Sequence, residues 1–343
     1  MKNAPGSSKG PTRFFAPMKI SPWLQFFRLP NLPTVPGDAL AGSALVLGAF
    51  PSTFDDGLIP SLAAGAAALG FYLFGLADND VVGADEDARN TPERPIPSGQ
   101  ISLRAAKIAR FLCGVGAVAV GAVAHLPWTW WAVVAALVLC IGCYNRVKRP
   151  LLMGLCRGLS LIAGGAALYH PDLLRRAHAF ELGGSGTTLI VAGGALLLAA
   201  LGWTLYIAAV TKLSEGEEHE SEGLGNRRYL LGISAFVPLL ALVPIVVYRL
   251  SLPEPGVPPM LILLPLLGSL WTFATWCAAV SPLWMAHGPA ERRAAVGRTI
   301  GALLQLQLGF MLVAPDRIFI LLALFLWFAV RAIRRLQPAI SGS

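Results

Sequence analysis

Charged residues are scarce in this 343-residue chain, at 13% of the total, whereas soluble domains usually carry about 25%. Hydrophobic residues make up 55%, so the composition excludes a water-soluble fold and a disordered chain. Cysteine and histidine are also few, with five of each. The lone CxxC, Cys140 to Cys143, has no second pair beside it, which excludes a disulfide-stapled fold and gives no zinc-site pattern.

Long apolar segments are what the chain has in abundance. The runs 58–77, 189–210 and 229–248 are each close to the ~20 residues that a helix needs to cross a bilayer. We therefore predict an all-α fold, a polytopic transmembrane bundle of nine or ten helices around a central cavity that opens to the cytoplasmic side. The candidate helices are 34–51, 58–78, 102–124, 127–146, 150–169, 186–211, 229–249, 257–281, 292–314 and 317–335.

The distribution of positive charge predicts the orientation of the bundle. With a cytoplasmic N-terminus, the basic residues left on the outer side number only four of the 27 lysines and arginines: Arg175, Arg176, Arg249 and Arg317. This asymmetry is typical of the positive-inside rule and predicts a multi-pass protein of the cell inner (plasma) membrane. The net charge of +8 thus indicates topology and contact with membrane lipids, and we expect no nucleic-acid partner.

More than half of the 19 acidic residues fall in two short stretches, and each stretch follows an apolar segment. The first runs from Asp78 to Glu93 and the second from Glu215 to Glu222. Clustered carboxylates repel one another and need cations, solvent or partners. A solvated loop explains the second stretch as well as a binding site does.

Two carboxylates of the first stretch are spaced to share a helix face. Asp80 and Asp87 are seven residues apart, nearly two helical turns, so a continuous helix would place them on one side. Such a pair can hold Mg²⁺, which usually completes its shell with water and substrate phosphate. The Pro95-Ile96-Pro97 segment favours an extended loop that could bring Arg94 close to that metal.

Basic residues lie on the same predicted side. Tyr144 begins a run that ends in Lys148 and Arg149, and Arg157 follows inside the next predicted helix. An intramembrane cation normally faces a cavity or the bundle interior. Acids for a metal, cations for phosphate and an apolar bundle are together typical of a site for a lipid diphosphate.

The sequence resembles the UbiA superfamily of intramembrane prenyltransferases. The resemblance rests on the Asp-rich run that starts at Asn79-Asp80 and reaches Asp87, on the 94–99 segment after it, and on the Tyr144-x-x-x-Lys148-Arg149 pattern. It covers the chain from about residue 28. The 28–34 segment, the 153–159 segment and the 206–211 segment resemble the EboC-like bacterial branch.

The resemblance implies a domain division and a set of site residues. Residues 1–27 would form a basic, disordered cytoplasmic segment, 28–336 the prenyltransferase domain and 337–343 a tail. It implies a polyprenyl diphosphate donor, a lipophilic or aromatic acceptor whose identity is unknown, and Mg²⁺ as cofactor. Asp80, Asp87 and Tyr144 would be catalytic. The implied metal ligands are Asn79, Asp80, Asp87, Glu215 and Glu217. The implied substrate-binding residues are Asn31, Arg94, Lys148, Arg149 and Arg157.

Two positions depart from the family pattern. The middle aspartate of the first motif falls on Gly83 here, and Asp85 would need an irregular turn to replace it because it points ~140° away from Asp80 on a regular helix. In the second motif, the aspartate position that precedes Glu215 carries Leu213. An alternative is therefore a catalytically degenerate protein of the same fold that binds an isoprenoid or transports a terpenoid. An unrelated secondary transporter would place its acids at the bilayer midplane, which these helix-end acids do not match.

Overall fold

The protein is described by a computed structural model over residues 22–28, 32–50, 57–170, 186–215, 240–251, 259–281, 289–314 and 317–340. These residues are helical and contain no strand, which confirms the all-α prediction. The helices are α1 (Pro22–Phe26), α2 (Thr34–Gly48), α3 (Leu58–Val82), α4 (Ala84–Asn90), α5 (Leu103–Val123), α6 (Trp128–Val147), α7 (Pro150–Ala166), α8 (Thr187–Glu215), α9 (Leu242–Ser251), α10 (Pro259–Val280), α11 (Pro289–Met311) and α12 (Arg317–Ile340).

Each of the ten predicted segments overlaps one of these helices, and the short helices α1 and α4 are additional. Four helices are long and apolar enough to cross a membrane among the residues described: Leu58–Val82, Leu103–Val123, Trp128–Val147 and Thr187–Lys212. On α5, large apolar side chains such as Phe111 and Leu112 are more than half exposed. Exposing so much apolar surface to water is unfavourable, whereas the hydrocarbon of a lipid bilayer solvates it.

Helix α2 lies at the centre of the bundle, against α3, α7, α8 and α11. Its residues are almost all buried, and many are glycine, alanine or serine. A Cβ atom at Gly164 of α7 would lie 1.8 Å from the carbonyl oxygen of Ala39, and Ser43 donates a hydrogen bond of 2.9 Å to the Gly164 carbonyl. Small residues thus bring the α2 and α7 backbones into direct contact, as is usual between helices in lipid.

The boundary between α6 and α7 is fixed by local backbone chemistry. Lys148 ends α6 in the left-handed region, with φ of 51°, and its N–H donates to the Tyr144 carbonyl at 2.7 Å. Pro150 then begins α7, where its missing N–H costs nothing. This sharp turn holds Tyr144, Lys148 and Arg149 at one end of the bundle.

The prediction that residues 1–27 are disordered is wrong for Pro22–Phe26. Pro22–Phe26 forms α1, and Phe26 is 1% exposed in a cluster with Ala77, Ile101 and Ala106. The physical reason is the aromatic content of this stretch, which gives it apolar surface to bury against α3 and α5. Residues 1–21 lie outside the described residues.

The close contact between α2 and α7 predicts a specific cost for one methyl group. We expect Gly164→Ala to lower the thermal unfolding midpoint of the purified protein, because the new Cβ meets backbone that cannot yield without moving a helix, a cost of about 1–3 kcal/mol. Gly116→Ala is the control, since a Cβ there meets nothing within 4 Å. Equal midpoints for the two variants would contradict this packing.

Candidate functional site

Asp80 and Asp87 lie on one buried face where α3 passes into α4. The helical hydrogen bonding continues through Gly83, whose N–H donates to the Asn79 carbonyl at 2.9 Å and whose carbonyl accepts from the Asp87 N–H at 2.8 Å. Asp80 is 7% exposed and Asp87 8% exposed. The two carboxylates therefore share a face, as their seven-residue spacing predicts.

Each of the two carboxylates has an arginine beside it. Arg28 Nη2 lies 3.2 Å from Asp80 Oδ1, and Arg94 Nη1 lies 2.7 Å from Asp87 Oδ2. The Asn79 amide donates to Asp80 Oδ1 at 3.2 Å. Arg94 reaches back to α4 because the 94–101 loop is folded on itself, with the Ile101 N–H donating to the Pro95 carbonyl at 2.9 Å. Arg94 thus lies beside the acidic face, but the extended conformation predicted from Pro-x-Pro is wrong, because successive turns are closed by backbone hydrogen bonds within this segment.

Lys148 joins the end of α6 to this acidic helix. Its Nζ lies 2.8 Å from Glu86 Oε2, and this hydrogen bond and charge hold the pKa of the exposed Glu86 carboxyl below its usual value. Arg149 is exposed at the start of α7. It makes no ion pair with any acid in the described ranges.

A third buried acid, Asp78, lies two residues before Asp80 on α3 and was not predicted as part of a site. Arg110 Nη1 contacts its Oδ1 at 2.8 Å, and the Asn145 amide donates to its Oδ2 at 2.7 Å. Asn145 also donates to the Gly75 carbonyl at 3.1 Å. The signal in the sequence was the spacing of Arg104, Lys107 and Arg110, which recur every three residues and so form a stripe along α5. This pattern alone does not distinguish Arg110 from lysines and arginines that reach lipid headgroups.

An apolar cavity of about 90 Å³ opens beside these residues. Its polar members near the acidic face include Arg28, Asn79, Asn145 and Tyr144. Much of the remaining wall is aliphatic or aromatic, from α2, α3, α6 and α7: Val35, Ala68, Phe71, Tyr72, Leu76, Leu137, Ile141 and Met153. Of the charged residues of the acidic face, Arg28 lines the cavity and pairs with Asp80. We call Asp80, Asp87, Arg28, Arg94 and Lys148 the acidic rim. Charge next to an apolar wall suits a ligand with an anionic head and a hydrocarbon chain.

Arg157 reaches the same cavity from α7, but its charge is compensated inside the bundle. Its Nε lies 2.7 Å from Asp38 Oδ2, and its Nη2 donates to the Thr34 carbonyl at 3.2 Å. Asp38 is completely buried. Arg157 therefore lines the cavity and is also paired within the bundle, and its ion pair with α2 was not foreseen from the sequence.

Gly83 occupies the position where the family pattern has its middle aspartate, and Asp85 is the nearby acid that could replace it. Asp85 is exposed and points away from the buried face. A Cβ at Gly83, by contrast, would lie 3.8 Å from Asp87 Oδ2 and 4.0 Å from Lys148 Nζ. Gly83 is therefore the residue that faces the site, and Asp85 does not replace the missing carboxylate.

Three of the predicted site residues fall where no side chain is described. Asn31 and Glu217 lie outside the described residues, and of Glu215 only the backbone at the end of α8 is described. The expectation that the second acidic stretch meets the first stays a prediction.

The model of the UbiA prenyltransferase family matches residues 39–298 of the chain. This chain belongs to the UbiA prenyltransferase family. The chain is also similar to two curated proteins named digeranylgeranylglyceryl phosphate synthase. One, from Natronomonas pharaonis, is 31% identical over 147 residues, which are 39% of this chain and 50% of that protein. The other, from Saccharolobus solfataricus, is 31% identical over 170 residues, 46% of this chain and 56% of that protein.

The chain thus spans about half the length of the curated relatives it matches. Among solved structures, it is similar to an apo UbiA homologue from Aeropyrum pernix K1, with a TM-score of 0.54 and 15% identity over 80% of this chain and 96% of that one. At this identity the likeness shows the fold. Family membership and the four apolar helices together make the chain a membrane protein.

The donor atoms at this UbiA-family site suit a magnesium ion that arrives with a phosphate ligand. Within the described ranges, no group of three or more Asp, Glu, His or Cys side chains is arranged to hold a metal alone. Mg²⁺ is, however, commonly bound by one or two carboxylates plus substrate phosphates. Asp80, Asp87 and the Asn79 amide are oxygen donors of this kind, so the residues present fit a shared rather than a fully protein-built site.

The buried Asp78 cluster predicts a stability effect that is separate from ligand binding. Asp78→Asn would leave Arg110 without its anion and Asn145 with a changed partner, so we expect a loss of about 1–3 kcal/mol in the free energy of unfolding. Chemical denaturation in detergent measures it. Asp85→Asn serves as the control because Asp85 is exposed, and a comparable loss in both variants would mean that the Asp78 contacts contribute nothing particular.

Proposed function

We propose that this protein is an integral membrane prenyltransferase that moves an isoprenyl group from a polyprenyl diphosphate to a lipophilic or aromatic acceptor with the assistance of Mg²⁺. The observation that carries the proposal is the pair of buried carboxylates, Asp80 and Asp87, on one face beside an apolar cavity. Family membership supports the reaction class, and the names of the two curated relatives support an isoprenyl donor.

The cations around the pair are suited to hold the diphosphate head. Arg94 is 38% exposed and Lys148 is 45% exposed in their side chains, so each can reach phosphate oxygens while staying beside its carboxylate. Arg149 stands free at the start of α7 within the described ranges and can add a third cation. Guanidinium and ammonium groups bind phosphate through charge-assisted hydrogen bonds.

Asn79, Asp80 and Asp87 would hold the magnesium, with Glu215 and Glu217 as the proposed ligands from the second stretch. When bound, the ion neutralises negative charge that develops on the departing pyrophosphate. The arrangement of oxygen donors and arginines at the rim supports this assignment.

The reaction breaks the bond between the allylic C1 carbon and the diphosphate oxygen, and pyrophosphate leaves with the bonding electrons. The apolar wall, including Phe71 and Leu137, keeps water from the allylic cation. The Tyr144 ring, which lines the cavity, can stabilise that cation through its face. The acceptor then forms the new bond to C1 and releases its proton to solvent or to pyrophosphate.

The finer placement of the protein is also a proposal. The positive-inside asymmetry supports an inner-membrane location with a cytoplasmic N-terminus. The acidic rim would then open to the cytoplasm, where a soluble pyrophosphate product can leave. The 153–159 segment supports the EboC-like branch.

The negative charges of Asp80 and Asp87 are predicted to be required for turnover. With labelled geranylgeranyl diphosphate and Mg²⁺, we expect Asp80→Asn and Asp87→Asn each to reduce pyrophosphate release by roughly tenfold or more, since each removes a charge that holds the metal. Asp85→Asn, an exposed acid on the same helix, should leave release unchanged. Equal losses in all three variants would indicate that only the bulk charge of the region matters.

A second candidate function is favoured by the glycine at position 83. A protein that binds an isoprenoid or transports a terpenoid without turnover would keep the cavity and the cations but would not need a full ligand set, and position 83 faces Asp87 without a carboxylate of its own. Tight binding of the diphosphate without release of pyrophosphate in the same assay would support this function and overturn the enzyme.

Restoring a carboxylate at position 83 separates the two functions further. We expect Gly83→Asp to raise Mg²⁺ affinity in the presence of the diphosphate by about tenfold, because the new side chain extends toward Asp87 and Lys148. Isothermal titration calorimetry measures the affinity. Gly83→Ala controls for the Cβ, which lies 3.0 Å from the Asn79 carbonyl, and should show no gain. No gain in the aspartate variant either would place position 83 outside the metal site.

A further inference from the structure

A second polar group lines the cavity apart from the acidic rim. Arg157 and Ser160 are three residues apart on α7, hence on one face, and both line the cavity. Arg157 is 9% exposed and Ser160 is 5% exposed. Burying two polar side chains in a largely apolar wall costs free energy unless they have hydrogen-bonding partners.

Arg157 is held in place by a buried network that joins four helices. Asp38 of α2 contacts Arg157 Nε through Oδ2 at 2.7 Å. Its Oδ1 accepts from Arg157 Nη2 at 3.2 Å, from Trp203 Nε1 of α8 at 3.0 Å and from Gln307 Nε2 of α11 at 2.6 Å. The Asp38 carboxylate is thus held by α7, α8 and α11, and it holds the Arg157 guanidinium in turn together with Thr34 of α2.

The charge of this pair is balanced within the protein. One buried carboxylate and one buried guanidinium are in direct contact, so the cavity wall at this point carries no net charge. The contacts of Arg157 in the described ranges use Nε and Nη2, which leaves the Nη1 group able to donate to a ligand. The wall therefore offers hydrogen bonds without a free cation.

Ser160 supplies the second hydrogen-bonding group. Its Oγ is buried and has no hydrogen-bond partner among the described residues. A hydroxyl that does not bond to its own helix and lies in a cavity wall is a group for which a ligand would provide the partner. Unlike the guanidinium, it can both donate and accept.

We propose that Arg157 and Ser160 form a subsite for an uncharged oxygen, a hydroxyl or a carbonyl, on the lipophilic acceptor; naming that ligand the acceptor rests on the proposed function. The oxygen accepts from Arg157 Nη1, and a hydroxyl also exchanges a hydrogen bond with Ser160 Oγ. Asp38 is a positioning residue, since it acts through Arg157 and does not line the cavity.

The charge balance sets the specificity of the subsite. A carboxylate placed here would be a second anion beside Asp38 with only one guanidinium to share, and a buried charge without its own partner is unfavourable. The diphosphate head has the exposed cations Arg94 and Lys148 at the rim. An alcohol or a ketone is therefore the ligand class that this wall selects.

Photo-crosslinking of the full-length protein in nanodiscs tests the subsite without any need for turnover. The probes are a twelve-carbon alcohol, the matching carboxylate and the matching alkane, each with a diazirine at the same carbon. Mass spectrometry compares labelling of the 150–166 peptide with labelling of the 103–123 peptide, whose exposed apolar face provides the lipid reference. We expect the alcohol to label the α7 peptide at least about threefold more than either other probe.

Two test variants and one control distinguish loss of the subsite from a general change in the helical bundle. Ser160→Ala should lower alcohol labelling of the α7 peptide by about two- to tenfold, the loss of one hydrogen bond. Ser61→Ala, which removes a buried hydroxyl bonded to the Gly57 carbonyl, should not. Asp38→Asn leaves the Arg157 charge unbalanced, so the preference should shift from the alcohol to the carboxylate, an inversion that a merely structural role would not cause.

Equal labelling by the three probes, or unchanged labelling in Ser160→Ala, would overturn the proposal. If Asp38→Asn does not fold, the probe comparison and the serine variant still decide. The result is independent of the prenyl-transfer assay, because a protein that releases no pyrophosphate can still show or lack this labelling pattern.

Discussion

Charge compensation at the C-terminal end of α3 is the constraint on which the site depends. Buried carboxylates cannot stand alone near a low-dielectric bundle, and each one here has a cation from a different part of the chain. The pairs are Asp80 with Arg28, Asp87 with Arg94 and Asp78 with Arg110. Because their partners come from the turn after α1, the 94–101 loop and α5, the same contacts that neutralise the acids also bring these elements together beside the cavity.

The apolar wall of the cavity depends on a different interaction, the close packing of small residues between helices. Helix α2 is buried on nearly all sides, and its glycines and alanines let α7 approach to backbone contact. That approach carries Arg157 to Asp38 and sets the wall of the cavity opposite α3. A wall that combines aliphatic surface with a charge-balanced polar group suits a lipophilic molecule, while the exposed cations Arg94 and Lys148 suit phosphate.

The helices and the shared face of the two carboxylates could be predicted from the sequence, because periodic and local features of the sequence determine them. Apolar runs predict the helices, and the seven-residue spacing of Asp80 and Asp87 predicts their common face. The pairing of Asp38 with Arg157 could not be predicted, since 119 positions separate them and nothing local distinguishes Asp38 from a helix-end acid. The pairing of Asp78 with Arg110 could not be predicted either, because the two residues are also far apart in the sequence. Helix α1 could not be predicted because a short aromatic segment becomes helical only when it packs against its tertiary neighbours.

A structure of the protein with a non-cleavable geranylgeranyl diphosphate analogue and Mn²⁺, which scatters anomalously and substitutes for Mg²⁺, tests the central claim most directly. The account predicts an anomalous peak within coordination distance of Asp80 and Asp87, the diphosphate near Arg94 and Lys148, and the isoprenyl chain along Phe71 and Leu137. A diphosphate head bound elsewhere on the bundle, or an analogue whose chain lies outside the cavity, would contradict it.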